Sequence, residues 1–425
     1  MSRLILSFFR LMSNGVLLIF TLRRWLFLLI AWKVGTMPQS RRFSAPLLPC
    51  LLLIPFRDEA ANLHRLLPMI GRLDYASEYL TVVLIDDGSQ DGSGRFCQQF
   101  ITQHRNWHLL TLPRTLGKAA ALNEALNRFP KGEFVAVFDA DERPSPHALI
   151  HLLAAFSEGY ADEEGQLCGS SSVRLGKSCQ TAAPPIGAVN GRRVICNPLA
   201  TPIASYATLE NIVHQLITNR AKDALGLAPA LLGSNCIYQR QALTAVQNFN
   251  PNTFLEDSDF TVRLARAGWQ TRFVSDAVSY HAAPETVSAY WQQHTRWHTG
   301  FQQVAQEQIG ALLTQAHLPW PLRLELFLFS LGYLDRIALL GAIISWWQHP
   351  SRCASLNINL SLFTPFIQII YALRLYSRSE PQQTTLLQRR LVYLPLFYTL
   401  DIFAALTSTI QKLCGHPIRW ETRSG

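Results

Sequence analysis

The sequence predicts an α/β fold, with a mostly parallel sheet flanked by helices and with membrane-embedded helices towards both ends of the chain. Two observations carry this prediction. Apolar runs of strand length alternate with helical patterns between residues 47 and 141, and long apolar segments crowd residues 1–34 and 322–411. Hydrophobic residues make up 48% of the 425 residues, and their concentration at the ends distinguishes the chain from an average globular protein.

The central region contains four segments that predict strands, and the first is a continuous apolar run of the kind that a parallel strand buried on both faces requires. They lie at 47–55, 81–86, 107–112 and 133–141. Helical patterns separate them, with apolar residues on one face of 63–70, 92–104 and 117–128. Strands that alternate with helices predict a doubly wound sheet that binds its ligand at the carboxyl ends of the strands. The Gly-, Ser- and Pro-containing stretch 158–188 predicts a loop or insertion.

The terminal apolar segments predict membrane helices. Four of them are long enough to span about 30 Å of hydrocarbon, namely 11–32, 326–347, 357–376 and 391–411. The first contains Arg23 and Arg24, and the second contains Asp335 and Arg336. Charges are costly in lipid, so these four must face protein or water, or their segments lie partly in the interface.

The charge distribution bears on partners and on location. The net charge is +9, but the basic residues flank the apolar segments and do not form one run with interleaved aromatic residues. This pattern argues against nucleic acid as a partner and favours the positive-inside arrangement, with a merely solvated basic surface as the alternative. The eight cysteines form no CxxC pair, which favours reduced thiols. We therefore expect an integral protein of the inner or plasma membrane whose central domain is cytosolic.

A first polar motif, VVLIDDGSQDGS, ends a predicted strand in Asp86 and Asp87 and continues with Gly88. Carboxylates at the carboxyl end of a strand are placed to hydrogen-bond a nucleotide base and ribose, and glycine permits a sharp turn. An ordinary Asp-Gly turn after a strand is the alternative.

A second motif, FVAVFDADERP, places Asp139 and Asp141 two residues apart at a strand end. In extended backbone the two side chains point the same way and offer hard oxygen ligands suited to Mg²⁺ or Mn²⁺. Mg²⁺ usually completes its shell with waters and substrate phosphates, so the pair indicates a diphosphate ligand. A solvated loop is the alternative interpretation.

Two later motifs carry further candidates. Glu256 and Asp257 precede an amphipathic helix, where they could complement its N-terminus or supply a general base. In QQHTRWHTGF, Gln293 and Arg296 share a helix face beside Trp297. Arginine grips phosphate oxygens and an indole offers a flat surface to a sugar ring, whereas a plain amphipathic surface helix is the alternative.

Two isolated residues each allow a ligand-binding and a structural interpretation. Lys118, at a helix start, could neutralise phosphate or cover apolar surface with its stem. Glu59, in IPFRDEAANL, could contact a nucleotide or cap the following helix. Neither residue decides the function by itself.

In chain order, the segments IPFRDE, IDDGSQDGS, LGKAAALN, DAD, LLGSN, ED and QHTRW resemble those of family 2 glycosyltransferases. That family includes cellulose, chitin, hyaluronan and poly-N-acetylglucosamine synthases and ceramide glucosyltransferase-like enzymes, and the resemblance covers about residues 48–305. It implies the GT-A fold, a Rossmann-like mixed, mostly parallel sheet flanked by helices, plus transmembrane helices. The implied division is an N-terminal membrane anchor at 1–45, a GT-A catalytic domain at 46–305, and interfacial and transmembrane helices with a short C-terminal tail at 306–425.

The resemblance also implies a role for each matching residue. Asp257 would be the general base, and Asp141, assisted by Asp139, would bind Mg²⁺ or Mn²⁺. The residues implied to bind the donor are Phe56, Glu59, Asp87, Lys118, Asp139, Gln293 and Arg296. The residues implied to contact the acceptor are Ser234, Asn235 and Trp297. One departure stands out, because Leu255 occupies the position where many relatives carry Thr before the ED pair.

The implied activity is inverting transfer of a sugar from a UDP-sugar to a membrane-associated acceptor. Synthesis of a β-linked polysaccharide is favoured, and glycosylation of a glycerolipid, ceramide-like lipid or carotenoid is the alternative. A nucleotidyltransferase would need a glycine-rich loop after the first strand, which IPFRDEAANL does not provide. An inactive scaffold would have lost at least one of Asp87, Asp141, Asp257 or Arg296, and the sequence retains all four.

Overall fold

The computed structural model describes residues 2–35, 48–158, 184–315 and 317–415. Most of the predicted 158–188 loop and the C-terminal tail lie outside these described residues. Within the described chain, eight strands form one sheet in the order β3-β2-β1-β4-β7-β6-β8-β5. The strands are β1 (Cys50–Phe56), β2 (Leu80–Asp86), β3 (Trp107–Thr111), β4 (Phe134–Val137), β5 (Arg143–Pro144), β6 (Ile186–Ile195), β7 (Cys236–Gln239) and β8 (Gln270–His281).

The sheet is mixed and mostly parallel, as predicted. Strands β1 to β4 form a parallel block, and they correspond to the four segments recognised from their apolar composition. Strand β7 runs antiparallel to both β4 and β6, while β6 and β8 are parallel. The sequence did not predict β5 to β8, and β6 begins at Ile186, inside the stretch expected to be a loop.

Helices cover both faces of the sheet, and the side chains of β1 alternate between two cores. Leu52 and Ile54 pack into one core and Leu51 and Leu53 into the other, so the strand is buried on both faces. This explains its continuous apolar run. The helices of this region are α1 (Ser2–Val34), α2 (Ala60–Ile70), α3 (Ser93–Ile101), α4 (Lys118–Arg128), α5 (Ala148–Glu158), α6 (Pro202–Val213), α7 (Arg220–Ala224), α8 (Arg240–Ala245), α9 (Glu256–Arg266) and α10 (Val287–Thr314), with α1 preceding the sheet.

The C-terminal region is helical throughout its described length. Its helices are α11 (Trp320–Ser330), α12 (Leu334–Gln348), α13 (Arg352–Tyr376), α14 (Pro381–Arg389) and α15 (Leu394–Leu413). Within the described residues, three helical segments are long and apolar enough to cross a membrane: Ser7–Val34, Arg352–Tyr376 and Pro381–Leu413. The predicted span at 326–347 is not one straight helix, because α11 and α12 meet at an angle of 72°; together they are long and apolar enough for a broken span or a re-entrant loop.

Charged residues within the apolar helices pair with one another, which confirms the expectation that they face protein. Arg23 donates to both carboxylate oxygens of Glu325 at 2.7 and 2.6 Å, and Lys222 lies 3.2 Å from the same carboxylate. Arg24 pairs with Asp335 at the start of α12. A buried charge needs such a partner, since an uncompensated one is strongly destabilising. These pairs therefore explain how α1 tolerates two adjacent arginines.

Candidate active site

The carboxyl ends of β1 and β2 bring the first candidate residues together. Asp87 follows β2 directly, and its carboxylate accepts the backbone N–H groups of Leu116 at 2.7 Å and of Gly117 at 2.9 Å. The Asp87 N–H donates to the carbonyl of Phe56 at 3.0 Å. The Phe56 side chain itself is buried in the core. Asp87 thus ties the loop before α4 to the end of β2, next to Lys118.

Glu59 lies at the entrance to α2, half-buried at the same edge of the sheet. Its carboxylate accepts the Asn62 side-chain amide at 2.7 Å, and its backbone N–H donates to Ser93 Oγ at 3.0 Å. The side chain makes no capping hydrogen bond to the helix backbone. The side-chain hydrogen bond expected of a helix cap is therefore not formed. Binding of the donor by Glu59 stays a prediction.

Lys118 connects four segments that are distant in sequence. Its Nζ lies 2.7 Å from Asp139 Oδ1 and 3.4 Å from Glu256 Oε1, and it donates to the Gly233 carbonyl at 2.8 Å. Burial lowers the pKa of Lys118, but the carboxylates of Asp139, Glu256 and Asp257 outweigh that effect and raise the pKa above its usual value. The side chain is therefore a fixed cation among carboxylates and not a cover for apolar surface.

Asp257 lies beside this cation. A Cβ atom built on Gly233 would be 3.2 Å from Lys118 Nζ and 3.3 Å from Asp257 Oδ2, so the Gly233 backbone passes close to both groups. Burial and the neighbouring Glu256 raise the pKa of Asp257 to about 6, against the opposing effects of Lys118, the Ser258 N–H and Arg296. A carboxylate with a pKa near the working pH is suited to accept a proton in catalysis.

Helix α10 packs against the segment that carries Asp257. A Cβ on Gly300 would lie 2.3 Å from Leu255 Cγ, so Leu255 occupies the space that the missing side chain leaves. Gln303 accepts the Phe254 N–H at 3.1 Å and donates to the Asn252 carbonyl at 2.7 Å. These contacts account for Leu255 at the position where many relatives carry Thr, because here the side chain anchors the ED segment to α10.

This packing brings one residue of the QxxRW motif of α10 to the site. Arg296 is near enough to Asp257 to lower the pKa of that carboxyl. Gln293, Arg296 and Trp297 are each partly buried. The Trp297 ring lies 4.8 Å from the ring of His294, measured between centroids. The motif therefore brings a guanidinium close to the candidate base, whereas contact of Gln293 with the donor and of Trp297 with the acceptor stays a prediction.

The close contact between Gly300 and Leu255 leads to a prediction. Gly300→Ala should destabilise the protein by about 1–3 kcal/mol, the usual cost of overpacking, and should lower the transfer rate by displacing Asp257 relative to Arg296. Thermal unfolding and sugar transfer measure the two effects. Gly310→Ala on the same helix is the matched control, because nothing lies within 4 Å of its added Cβ. Equal behaviour of the two variants would contradict the prediction.

Ser234 and Asn235 are fully buried, and their side chains hydrogen-bond to backbone groups around the site. Ser234 Oγ accepts the Asp139 N–H at 2.8 Å. The Asn235 amide donates to the carbonyls of Arg192 at 3.2 Å and Ala277 at 2.8 Å, which links β6 to β8. Both side chains are thus engaged in positioning other groups, and their contact with an acceptor stays a prediction.

The residues around the DAD segment fit a divalent cation. Asp139 pairs with Lys118 at 2.7 Å, and binding of the cation by Asp141 with the assistance of Asp139 stays a prediction. The carboxylates outnumber the cations by two in this region. The carboxylates are Asp139, Asp141, Glu142, Glu256 and Asp257, and the cations are Lys118, Arg193 and Arg296. Carboxylate oxygens in such excess match the ligand preference of Mg²⁺ or Mn²⁺.

Glu142 and Arg193 are two residues of this site that the sequence analysis missed. Glu142 is fully buried, and its carboxylate accepts a hydrogen bond from Arg193 Nε at 2.5 Å and another from Ser279. Arg193 Nη1 also donates to the Leu232 carbonyl at 3.3 Å, next to Gly233. Burial raises the pKa of Glu142 to about 7, although Arg193 opposes the rise. In the sequence, only the position of Glu142 as the third carboxylate of the DADE segment pointed to these two residues. No motif surrounds Arg193.

A separate group of potential metal ligands lies where α10 meets the C-terminal helices. One ligand atom each from Glu210, His294 and Asp401 falls within 4.8 Å of the others. His294 belongs to the QHTRW segment, whereas the other two residues lie far away in sequence. None of the sequence motifs pointed to Glu210 or Asp401.

Comparison with known proteins agrees with this geometry. The sequence model of the family described as Glycosyltransferase like family 2 matches residues 48–300. "Probable glycosyltransferase YdaM" of Bacillus subtilis (strain 168) is 24% identical over 63% of this chain and 58% of its own length. The Beta-monoglucosyldiacylglycerol synthase of Synechocystis sp. is 25% identical over 70% of this chain and 57% of its own length. The chain thus spans less than two thirds of these curated relatives.

A solved structure shares the fold. Mannosyltransferase PcManGT from Pyrobaculum calidifontis, in complex with GDP-Man and Mn²⁺, superposes with a TM-score of 0.59 at 18% sequence identity. The match covers 98% of this chain and 100% of the other. With the family model matching more than half of the chain, the shared fold and the cluster around Asp257, the chain belongs to glycosyltransferase-like family 2 and is a glycosyltransferase with the GT-A fold.

Proposed function

We propose that the protein transfers a sugar from a UDP-sugar, with inversion at the anomeric carbon, to a hydroxyl group of a membrane-associated acceptor. One observation carries the proposal: the partly buried carboxylate of Asp257, with a pKa of about 6, lies beside the Lys118 cation and close enough to Arg296 to interact electrostatically with it. A base next to two cations suits a reaction in which a hydroxyl loses a proton while negative charge develops on a leaving group.

In this mechanism, Asp257 takes the proton of the acceptor hydroxyl as the oxygen attacks the anomeric carbon. The bond to the UDP oxygen breaks in the same step, so a single displacement inverts the configuration and converts an α-linked donor into a β-linked product. Lys118 and Arg296 stabilise the negative charge of the departing diphosphate. Mg²⁺ or Mn²⁺, held by Asp141 with the help of Asp139, would supply further positive charge to the diphosphate oxygens.

The proposed donor site extends along the edge formed by β1, β2 and α4. Asp87 and Glu59 would contact the uracil and ribose, and the Phe56 carbonyl fixes the Asp87 backbone. Gln293 and Arg296 would lie over the diphosphate, with Trp297 beneath the acceptor. We further propose that residues 46–305 form the catalytic domain and face the cytosol, so that protease added outside intact cells should leave that domain uncut.

Two acceptor classes are compatible with a membrane enzyme of this family. The QxxRW motif and the C-terminal helices favour a polysaccharide, since poly-β-1,6-N-acetyl-D-glucosamine synthase of Staphylococcus epidermidis is 22% identical over 58% of this chain. The structure adds support for a lipid. The Beta-monoglucosyldiacylglycerol synthase of Synechocystis sp. is 25% identical over 70% of this chain, and the described apolar helices lie beside the catalytic domain, with Arg23 and Arg24 in ion pairs between helices. We therefore favour a lipid acceptor reached from the bilayer.

The decisive experiment uses the full chain in lipid nanodiscs with a panel of UDP- and GDP-sugars, with Mn²⁺ or Mg²⁺, and with lipid extract or oligosaccharide as acceptor. Mass spectrometry identifies the product, and Asp257→Asn is the matched inactive control. We expect one UDP-sugar to yield a monoglycosylated lipid. A long polysaccharide would replace the lipid proposal with the polymer one, and turnover with GDP-sugars alone would refute the proposed donor.

A further inference from the structure

Helix α10 packs against different parts of the protein on two opposite sides. At about 100° of rotation per residue, Arg296, Gly300 and Gln303 share one side of the helix. On this side Gly300 meets the side chain of Leu255, and Gln303 hydrogen-bonds to the backbone of the same segment, just before Asp257. The side of α10 that carries Arg296 is therefore held against the ED segment of the catalytic domain.

The opposite side of α10 packs against the bend between α11 and α12. His294, His298 and Phe301 share this side, because they follow one another at intervals of four and three residues. All three rings lie near the ring of Tyr333, which belongs to the bend. The centroid distances to Tyr333 are 3.7 Å from His298, 5.7 Å from Phe301 and 6.5 Å from His294. Helix α10 thus lies between the bend and the ED segment.

Tyr333 adopts a backbone conformation that its side chain disfavours. Its φ is 70°, in the left-handed region that glycine adopts readily and aromatic residues rarely. The preceding Gly332 lets the bend approach α10 closely, since a Cβ built on it would lie 3.1 Å from Phe301 Cγ. Strained backbone persists only where surrounding contacts hold it, and it is concentrated at functional sites. The contacts of the Tyr333 ring therefore outweigh a backbone cost that glycine would avoid.

The Tyr333 ring is also held from the C-terminal helices. Arg336 Cζ lies 5.0 Å from the ring centroid, where the guanidinium is attracted to the aromatic face. Arg336 Nε donates to Asp401 on α15 at 2.8 Å, and its Nη1 donates to Asp335 at 2.9 and 3.0 Å. Two carboxylates thus fix the guanidinium that lies over the ring. The ring has little freedom to move away from α10.

We propose that Tyr333 is a positioning residue: it holds α10 against the ED segment, so that Arg296 stays beside Asp257. This inference rests on the proposed function, because it assigns catalytic value to the placement of Arg296. Tyr333 acts through α10 and not by contact with a substrate. Its effect can still be large, because a misplacement of about 1 Å caused far from the chemistry can cost about 10²-fold in rate.

The test compares variants of the full chain in nanodiscs by UDP-release kinetics, calorimetric UDP titration and thermal unfolding. Tyr333→Gly removes the ring and relieves the strained backbone, so the protein should fold while kcat falls about tenfold or more and UDP affinity falls with it. Tyr333→Phe keeps the ring and should retain both. Gln247→Gly is the matched control, because it places glycine at an exposed residue whose φ is 60°, and it should also retain both.

A double-mutant cycle with Arg296→Ala distinguishes positioning from a general loss of stability. If Tyr333 acts through Arg296, Tyr333→Gly should lower kcat and UDP affinity much less in the Arg296→Ala background than in the wild type. Effects that multiply independently, or wild-type kcat and UDP affinity in Tyr333→Gly alone, would overturn the proposal. If Tyr333→Gly does not fold, Tyr333→Leu, which also lacks the ring but keeps apolar volume, takes its place in the cycle.

Failure of the proposed function is a separate result. Near-normal turnover of Asp257→Asn would overturn the proposed base. An inactive Asp257→Asn together with wild-type behaviour of Tyr333→Gly would overturn only the role of Tyr333.

Discussion

Asp257→Asn is expected to lower the rate of sugar transfer by roughly 10²-fold or more, the scale of general-base removal, while UDP affinity stays close to that of the wild type. The substitution keeps the shape of the side chain but removes its ability to accept a proton. In the proposed mechanism Asp257 contacts the acceptor and not the nucleotide, so donor binding should survive. Calorimetric UDP titration and UDP-release kinetics on the same preparation separate the two effects.

Arg296→Ala provides the contrast. A guanidinium that grips the diphosphate stabilises both the bound donor and the departing UDP, so affinity and rate should fall together. If Asp257→Asn weakens UDP binding as much as Arg296→Ala does, the ED pair merely complements the N-terminus of α9. Near-normal turnover of Asp257→Asn would lead to the same conclusion.

The pH dependence of the wild type gives a second measure of the same group. Burial and Glu256 raise the pKa of Asp257 to about 6, so below that value the carboxyl is protonated and cannot act as a base. Transfer should therefore increase as the pH rises towards 6 and level off above it.

Asp141→Ala is expected to abolish metal-dependent release of UDP, and excess chelator should have the same effect on the wild type. The proposed mechanism assigns Asp141 as the ligand of the cation, with Asp139, which pairs with Lys118 at 2.7 Å, as its assistant. UDP release with Mn²⁺ or Mg²⁺ titrated back after chelation measures the requirement. Asp74→Ala is a matched control, since Asp74 is an exposed aspartate whose carboxylate pairs with the exposed His147. Full turnover in excess chelator would refute the metal assignment.

The sequence by itself determined the parallel half of the sheet and the identity of the main candidates. Strands β1, β2 and β4 are continuous apolar runs because they are buried on both faces, and that composition is visible without a structure. Asp87, Asp139 and Asp257 follow recognisable local patterns, and the order of these patterns indicated the family. Charged residues inside the apolar segments were also visible in the sequence, but whether they face protein, water or the interface was left open.

Only the tertiary structure decided how these parts meet. Strands β6 and β8 contain polar residues such as Asn190, Arg193 and Ser279, so their burial depends on partners from elsewhere in the chain and leaves no apolar run to recognise. The bend between α11 and α12, the contact of Leu255 with Gly300 and the grouping of His294 with Glu210 and Asp401 could likewise not be predicted from the sequence. Each joins residues that lie far apart in sequence, and its energy depends on packing and charge balance that exist only once the chain is folded.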